Sequence, residues 1–122
     1  MACAKILLLE TDEDLSSSLT DVLAGDGFQC CVASSAGDAL RLLDRGCAPA
    51  VAIIDVPEPP GRTAELFQRL RTEERLLKVP VVVLTARDAE PVPGAATVLA
   101  KPFTVEEIVE AARASLRAAG RG

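Results

Sequence analysis

Four short apolar segments of the sequence each run into polar residues that could do chemistry. The segments are residues 6–9, 50–54, 81–84 and 98–100, and the polar residues that follow them are Glu10, Thr11, Asp12, Asp55, Thr85 and Lys101. Apolar runs of this length are typical of strands buried on both faces. In a parallel sheet the carboxyl ends of the strands lie along one edge, where these residues would meet. Crowded carboxylates there would raise one another's pKa unless Lys101 or a cation offsets their charge.

Between these segments the apolar residues repeat with the period of a helix. Leu15, Leu19 and Leu23 fall on one stripe, which ends before Gly25 and Gly27. Residues 28–33 begin with more polar residues and predict an edge strand. The predicted caps of the later helices are Ser35 with Asp38, Thr63, and Thr104 with Glu107.

The resulting pattern is a strand followed by a helix, five times over. It predicts an α/β fold: a doubly wound, five-stranded parallel sheet of the flavodoxin-like type, with strand order 2-1-3-4-5. Residues 87–93 are too short and too rich in proline for an ordinary crossover helix, so the fourth helix is expected to be short or missing. We expect one domain over residues 1–119 and a frayed tail over residues 120–122.

The composition excludes several classes of function. The chain of 122 residues has a formal net charge of −5 and 2% aromatic residues, which argues against nucleic-acid binding. It has no histidine, so Ser-His-Asp catalysis and His-ligated metal are excluded. Its four cysteines lack CxxC spacing, and no segment is long and apolar enough to cross a membrane. We expect a reduced, cytoplasmic protein that binds neither nucleic acid nor membrane.

The order and spacing of the polar residues match a known family. The motifs are Glu10-Thr11-Asp12, Asp55 before a proline-bearing loop, Leu84-Thr85-Ala86, Gly94-Ala95 and Lys101-Pro102-Phe103. On these motifs the chain resembles the receiver domain of bacterial two-component response regulators, over nearly its whole length. The resemblance implies a receiver-type fold and a phosphoacceptor function in phosphorelay signalling, rather than a conventional enzyme.

The resemblance also implies a role for each of these residues. Asp55 would accept a phosphoryl group from a sensor histidine kinase or a phosphotransfer protein, with Lys101 and Thr85 contacting the phosphoryl oxygens. Mg²⁺ is implied as the cofactor, because nucleophile and phosphoryl group are both anionic and their charge must be neutralised. The implied metal ligands are Glu10, Asp12, Asp55, the backbone carbonyl of Pro57 and, as a poor substitute for an acid, Thr11.

Two features depart from the family's pattern. The family has a second acid where this chain has Thr11, and a hydroxyl is a far poorer ligand for a hard dication than a carboxylate. We therefore expect Mg²⁺ binding to be weakened by about one to a few kcal/mol. The family also couples the Thr85 position to an aromatic residue, which is Val98 here. The replacement of that aromatic residue by Val98 and the short crossover at residues 87–93 are expected to alter the surface that the family uses for dimerisation or target contact.

These residues leave two functions open. Retention of Asp55, Thr85 and Lys101 favours a working phosphoacceptor, whereas Thr11 and Val98 favour a phosphorylation-independent pseudo-receiver that serves as a protein–protein interaction module. A flavin or nucleotide site is disfavoured because no glycine-rich turn follows the first strand. An output domain and a second copy of the chain are further candidate partners. The arginines expected to form a solvated face are Arg62, Arg69, Arg71 and Arg75.

Overall fold

The structure, a computed structural model, describes residues 4–56, 62–85, 95–100 and 103–120. Several predicted features lie outside these ranges. They are the short or missing fourth helix at residues 87–93, the cysteine at position 3, the Pro57 carbonyl, and the Lys101-Pro102 motif.

Five parallel strands form one sheet in the order β2-β1-β3-β4-β5, which confirms the predicted topology. The strands are β1 (Lys5–Leu9), β2 (Gln29–Ala33), β3 (Val51–Asp55), β4 (Val81–Thr85) and β5 (Thr97–Ala100). β1 and β3 are neighbours, with Leu9 opposite Ile54, so the residues that follow these two strands leave the sheet side by side. This is the point at which the chain reverses its winding direction, where α/β sheets of this kind place their ligands.

Helices cover both faces of the sheet. They are α1 (Glu13–Gly25), α2 (Ala36–Asp44), α3 (Thr63–Thr72) and α4 (Val105–Gly120), and a short 3₁₀ helix spans Glu74–Leu76. Because strand side chains alternate between faces, Leu7 and Leu9 pack with α2 and α3, while Ile6 and Leu8 pack with α1 and α4. Each strand of the sheet's centre is therefore buried on both sides, as its continuous apolar sequence predicts.

Local capping defines where three of the helices begin. Asp12 caps α1, and Ser35 caps α2 by accepting a hydrogen bond from the Asp38 N–H at 3.1 Å. Before α4, Thr104 and Glu107 form a reciprocal capping box, with both backbone-to-side-chain bonds at 3.1 Å. These caps confirm the predicted helix starts at Ser35 and Thr104.

The predicted cap of α3 is wrong. Thr63 is the first residue of α3 rather than its cap, and the cap position is Arg62, which makes no side-chain capping bond. Because Thr63 lies one residue beyond the cap position, its side chain points into the protein. It is 1% exposed, and its hydroxyl has no hydrogen-bond partner among the described residues. The helix therefore starts without the hydroxyl cap that its sequence indicates.

Two of the arginines expected on a solvated face join secondary-structure elements. Arg69 binds Asp44 at 2.5 Å and Glu73 at 2.8 Å. Arg75 donates to the carbonyls of Leu43 and Cys47 at 2.6 and 2.8 Å, which satisfies carbonyl groups at the end of α2. The solvated-face prediction therefore fails only for Arg69, which is half-buried, whereas Arg62, Arg71 and Arg75 are exposed as predicted. Arg69 and Arg75 nevertheless link α2 to α3 and the 3₁₀ helix.

The remaining predictions about single elements concern the cysteines and the membrane. Cys30 and Cys31 lie on opposite faces of β2, as expected from the alternation of a strand. Among the described residues, none of the helices combines the length and apolar character that a bilayer span requires.

Candidate functional site

Glu10 and Asp55 come together at the carboxyl edge of the sheet because β1 and β3 pair in register. Asp55 is the last residue of β3, and Glu10 immediately follows β1. The Glu10 N–H donates to the carbonyl of Ala33 at 3.1 Å, which ties the end of β1 to the end of β2. Sequence reasoning missed this backbone contact, since it depends on the pairing of two strands rather than on a side chain.

The Glu10 carboxyl group is buried and incompletely satisfied. Glu10 is 4% exposed, and its Oε2 accepts a hydrogen bond from the Asp12 N–H at 3.0 Å. Its Oε1 is buried without a hydrogen-bond partner in the part of the chain that the structure describes. A buried carboxylate oxygen without a donor is costly, so this oxygen is well suited to a cation or to a proton.

Burial and the neighbouring Asp55 raise the pKa of Glu10 to about 7. Burial is the largest cause, because desolvation disfavours the charged form. The nearby Asp55 carboxyl acts in the same direction because it repels the charge of Glu10, while the N–H groups of Asp12 and Thr11 partly oppose both effects. The predicted crowding of carboxylates at this edge is confirmed for the Glu10–Asp55 pair.

Asp12, one of the metal ligands that the resemblance implies, serves as the cap of α1. Its Oδ1 accepts hydrogen bonds from the N–H groups of Asp14 and Leu15, at 2.9 and 3.2 Å. Asp12 and the adjacent Thr11 are both exposed, whereas Glu10 is buried. The two parts of Asp12 therefore have different roles. Its backbone N–H binds the Glu10 carboxylate, and its side chain caps α1.

Thr85 closes the site on the side of β4. It is the last residue of that strand, it is half-buried, and it pairs in register with Ala100 of β5. Asp55 pairs with Leu84, one position before it. The structure therefore brings Glu10, Asp55 and Thr85 to one edge, as predicted. Lys101 and Pro57, the predicted ammonium group and carbonyl ligand, lie outside the described residues.

The described residues at this edge supply oxygen ligands of the kind that a hard cation binds, but fewer of them than such an ion requires. Glu10 and Asp55 supply carboxylate oxygens, which are the ligands that Mg²⁺ prefers. No cluster of three or more His, Cys, Asp or Glu side chains arranged for a metal occurs within the described ranges. Among the described residues, this edge therefore offers the two carboxylates of Glu10 and Asp55, with the exposed hydroxyl of Thr11 in the adjoining turn.

Comparison with known proteins points to the same family as the motifs. The family model described as "Response regulator receiver domain" matches residues 6–113. The transcriptional regulatory protein CpxR of Escherichia coli (strain K12) is 35% identical over 119 residues, which cover 93% of this chain and 49% of that protein. The sensory transduction protein RegX3 of Mycobacterium tuberculosis (strain ATCC 25618 / H37Rv) is 31% identical over 121 residues, 94% of this chain and 52% of that protein.

The fold agrees with solved structures as well. The receiver domain of the Francisella response regulator 1452 superposes with a TM-score of 0.79 at 22% identity, covering 94% of this chain and 98% of that one. This chain spans about half the length of the curated relatives that it matches. Since the family model covers most of the chain, from the first strand into the last helix, the chain belongs to the response regulator receiver domains, the phosphoacceptor modules of two-component phosphorelay signalling.

Proposed function

We propose that Asp55 is the residue of this receiver domain that accepts the phosphoryl group, and that its donor is a sensor histidine kinase or a phosphotransfer protein. One observation carries the proposal: the register of β1 and β3 places Asp55 beside the buried, unsatisfied Glu10 at the carboxyl edge of the sheet. A receiver domain implies a histidine kinase as partner, and which kinase it is belongs to the proposal.

In the proposed reaction, a carboxylate oxygen of Asp55 forms a bond to phosphorus as the phosphorus–nitrogen bond of the donor's phosphohistidine breaks. The electron pair of that bond returns to the histidine ring. Thr85, at the end of β4, donates a hydrogen bond from its hydroxyl to a phosphoryl oxygen, and Lys101 offsets the charge of Asp55. Such transfers depend mainly on position and electrostatics, so fixed groups on adjacent strand ends suit them.

Receiver domains typically bind Mg²⁺, and we propose that this one binds it weakly. Glu10 and Asp55 would hold the ion, together with the carbonyl of Pro57. When bound, Mg²⁺ would neutralise charge on the nucleophile and the phosphoryl group. Thr11 offers a neutral hydroxyl where an acid is usual, and Asp12 could replace that acid only by leaving the cap of α1. Both features support a lower affinity.

The test is chemical phosphorylation followed by intact-mass analysis. The protein is incubated with a small phosphodonor and excess Mg²⁺, in parallel with Asp55→Ala and, as a matched control, Asp21→Ala, which removes an exposed aspartate of α1. We expect one phosphoryl adduct on the parent and on Asp21→Ala, and none on Asp55→Ala. An adduct that survives in Asp55→Ala would contradict the assignment of the phosphoacceptor.

A phosphorylation-independent pseudo-receiver is the second candidate function. The observation in its favour concerns the described metal ligands: two carboxylates converge, while Asp12 is committed to α1. On this alternative the domain binds its partner through its surface, whatever the state of Asp55. Absence of an adduct on the parent, together with no calorimetric Mg²⁺ signal, would decide for it.

The output of the whole protein is also a proposal. CpxR is named a transcriptional regulatory protein and is about twice as long as the region matched here. We propose that an output domain, attached or separate, reads the state of this receiver. With a net charge of −5, this domain is not expected to contact nucleic acid itself.

A further inference from the structure

β2 has an open edge. It is the first strand in the sheet order, so only β1 pairs with it. The Gln29 N–H donates to the Ala4 carbonyl at 2.9 Å, and the Ala33 carbonyl accepts from the Glu10 N–H at 3.1 Å. Because backbone groups alternate in direction along a strand, the N–H and C=O groups of Cys30 and Val32 face away from β1.

This edge lacks the features that usually prevent pairing with another chain. Protected edges carry charged residues, proline or a bulge. The β2 sequence, QCCVA, contains neither a charge nor a proline. Its register with β1 runs without a bulge from Gln29 to Ala33. Val32 is 47% exposed, which makes it one of the few exposed large apolar side chains of the described residues.

A groove of about 280 Å³ lies between this edge and the outer surface of α2. Its lining residues are Val32, Ser34, Asp38, Arg41, Leu42 and Arg45. Asp38 is engaged with Arg41 and with the Ser34 hydroxyl. Arg45 is exposed and has no ion-pair partner within the described part of the chain. The groove thus offers, from one end to the other, the Asp38–Arg41 ion pair, Leu42, and Arg45 without an ion-pair partner among the described residues.

We propose that this edge binds β2 of a second copy of the chain in the antiparallel direction, which joins two five-stranded sheets across a twofold axis. With the axis at Cys31, the central residue of β2, Cys30 lies opposite the partner's Val32. These residues have outward backbone groups in both copies, so each such pair exchanges two hydrogen bonds. Cys31 then lies opposite the partner's Cys31 in a non-hydrogen-bonded pair, where Cα atoms are about 4.5 Å apart.

The same axis makes the two α2 helices complementary. In an antiparallel pair, Asp38 of one copy faces the partner's Arg45, and Leu42 lies near the partner's Leu42. Cys31 lies two residues, or about 7 Å, before the end of β2. The midpoint between Asp38 and Arg45 lies five to six residues, or about 8 Å, from the start of α2. The two midpoints thus lie at similar distances from the end of β2 and the start of α2. Because the groove carries both an acid and a base, it is complementary to a second copy of itself.

Sedimentation equilibrium of the parent, Val32→Lys and Val22→Lys tests the surface. Val22 lies on α1 and is 43% exposed, close to the 47% of Val32, so Val22→Lys is a matched control. We expect a concentration-dependent dimer for the parent and for Val22→Lys, and a dissociation constant raised about tenfold or more in Val32→Lys. A parent that stays monomeric up to about 1 mM, or equal effects of the two lysines, would overturn the proposal.

Disulfide cross-linking tests the register. In a Cys3→Ser background, diamide removes two hydrogens from a pair of thiols, becomes its hydrazine, and leaves a sulfur–sulfur bond. We expect a covalent dimer that is lost in Cys31→Ser and kept in Cys30→Ser and Cys47→Ser. A covalent dimer that persists in Cys31→Ser would place the contact at another surface.

A charge exchange tests the pairing of the helices. Arg45→Asp should weaken the dimer, and the double variant Asp38→Arg/Arg45→Asp should restore it, since each copy then offers the reverse pair. Asp55→Ala should dimerise as the parent does, so the outcome is independent of phosphoryl transfer. Failure of the double variant to recover the dimer, with its circular dichroism unchanged, would refute the proposed contact between the two α2 helices.

Discussion

The surroundings of Glu10 in the candidate site disfavour the ionised form of its carboxyl group. Its raised pKa follows from burial first and from Asp55 second. In the folded protein the carboxyl binds a proton up to a pKa of about 7, against an ordinary value of 4.5. The folded state therefore holds more protons than the unfolded state between these values, and stability from this group is complete below the lower value and lost as the pH rises through the upper one.

We expect Asp55→Ala to stabilise the metal-free protein at pH 8. Removing Asp55 removes its repulsion of the Glu10 charge, whereas the cost of burying Glu10 remains. The expected gain is roughly 1 kcal/mol, with a shallower loss of stability between pH 5 and 7. Urea denaturation in the presence of a chelator measures both effects.

The matched control is Asp21→Ala, which removes an exposed carboxylate of α1 remote from Glu10. Equal denaturation midpoints for Asp55→Ala and the parent would show that the two carboxyls do not repel each other.

The start of α1 is the local structure on which the geometry of the site depends. The turn between β1 and α1 is held by three hydrogen bonds, one to Glu10 Oε2 and two to Asp12 Oδ1. Either Thr11 or Asp12 could cap this helix by residue type, and only the backbone conformation distinguishes them. Asp12 has the extended conformation of a cap residue, with φ −82° and ψ 112°.

We expect Asp12→Ala to lower the free energy of unfolding by about 1 kcal/mol, because two N–H groups of α1 lose their acceptor. Asp12→Asn keeps an oxygen at the same place and should be nearly neutral. Urea denaturation measures the loss, and a Mg²⁺ titration of Asp12→Asn separates capping from metal binding. A clear drop of Mg²⁺ affinity in Asp12→Asn would make this side chain a ligand after all.

The molecule as a whole assembles its site from segments far apart in the chain. Glu10 follows β1, Asp55 ends β3 and Thr85 ends β4, and each strand is held by apolar layers on both of its faces. Arg75, more than thirty residues from Leu43 in the chain, joins the 3₁₀ helix to α2. Because the site exists only when these elements are packed together, a ligand that binds it stabilises the folded state.

We expect Mg²⁺ to stabilise the parent only slightly and Thr11→Asp strongly. The added carboxylate supplies the missing acid, which should strengthen Mg²⁺ binding about tenfold or more. Thermal unfolding with increasing Mg²⁺ and calorimetric titration are the measurements. Ser18→Asp, which adds the same charge on the exposed side of α1, should behave as the parent. An unchanged affinity in Thr11→Asp would mean that position 11 does not face the metal.

Much of this architecture follows from patterns between near neighbours in the sequence. Apolar runs of three to five residues, helical stripes and the Ser35 and Thr104 caps led to the observed sheet order and to the convergence of Glu10, Asp55 and Thr85. Thr63 shows where such patterns fail, because a hydroxyl near a helix start is compatible with either a cap or a first-turn position. A shift of one residue turned it from the helix end into the interior.

Periodicity and residue type thus specified the strands, their order and the chemistry at their ends, because these depend on contacts within a few residues or on general rules of chain connection. Packing alone established that Glu10 is buried with an unsatisfied oxygen, that Asp12 is used by α1, and that Arg69 and Arg75 join helices. Burial and charge proximity arise between residues tens of positions apart, so no local pattern encodes them.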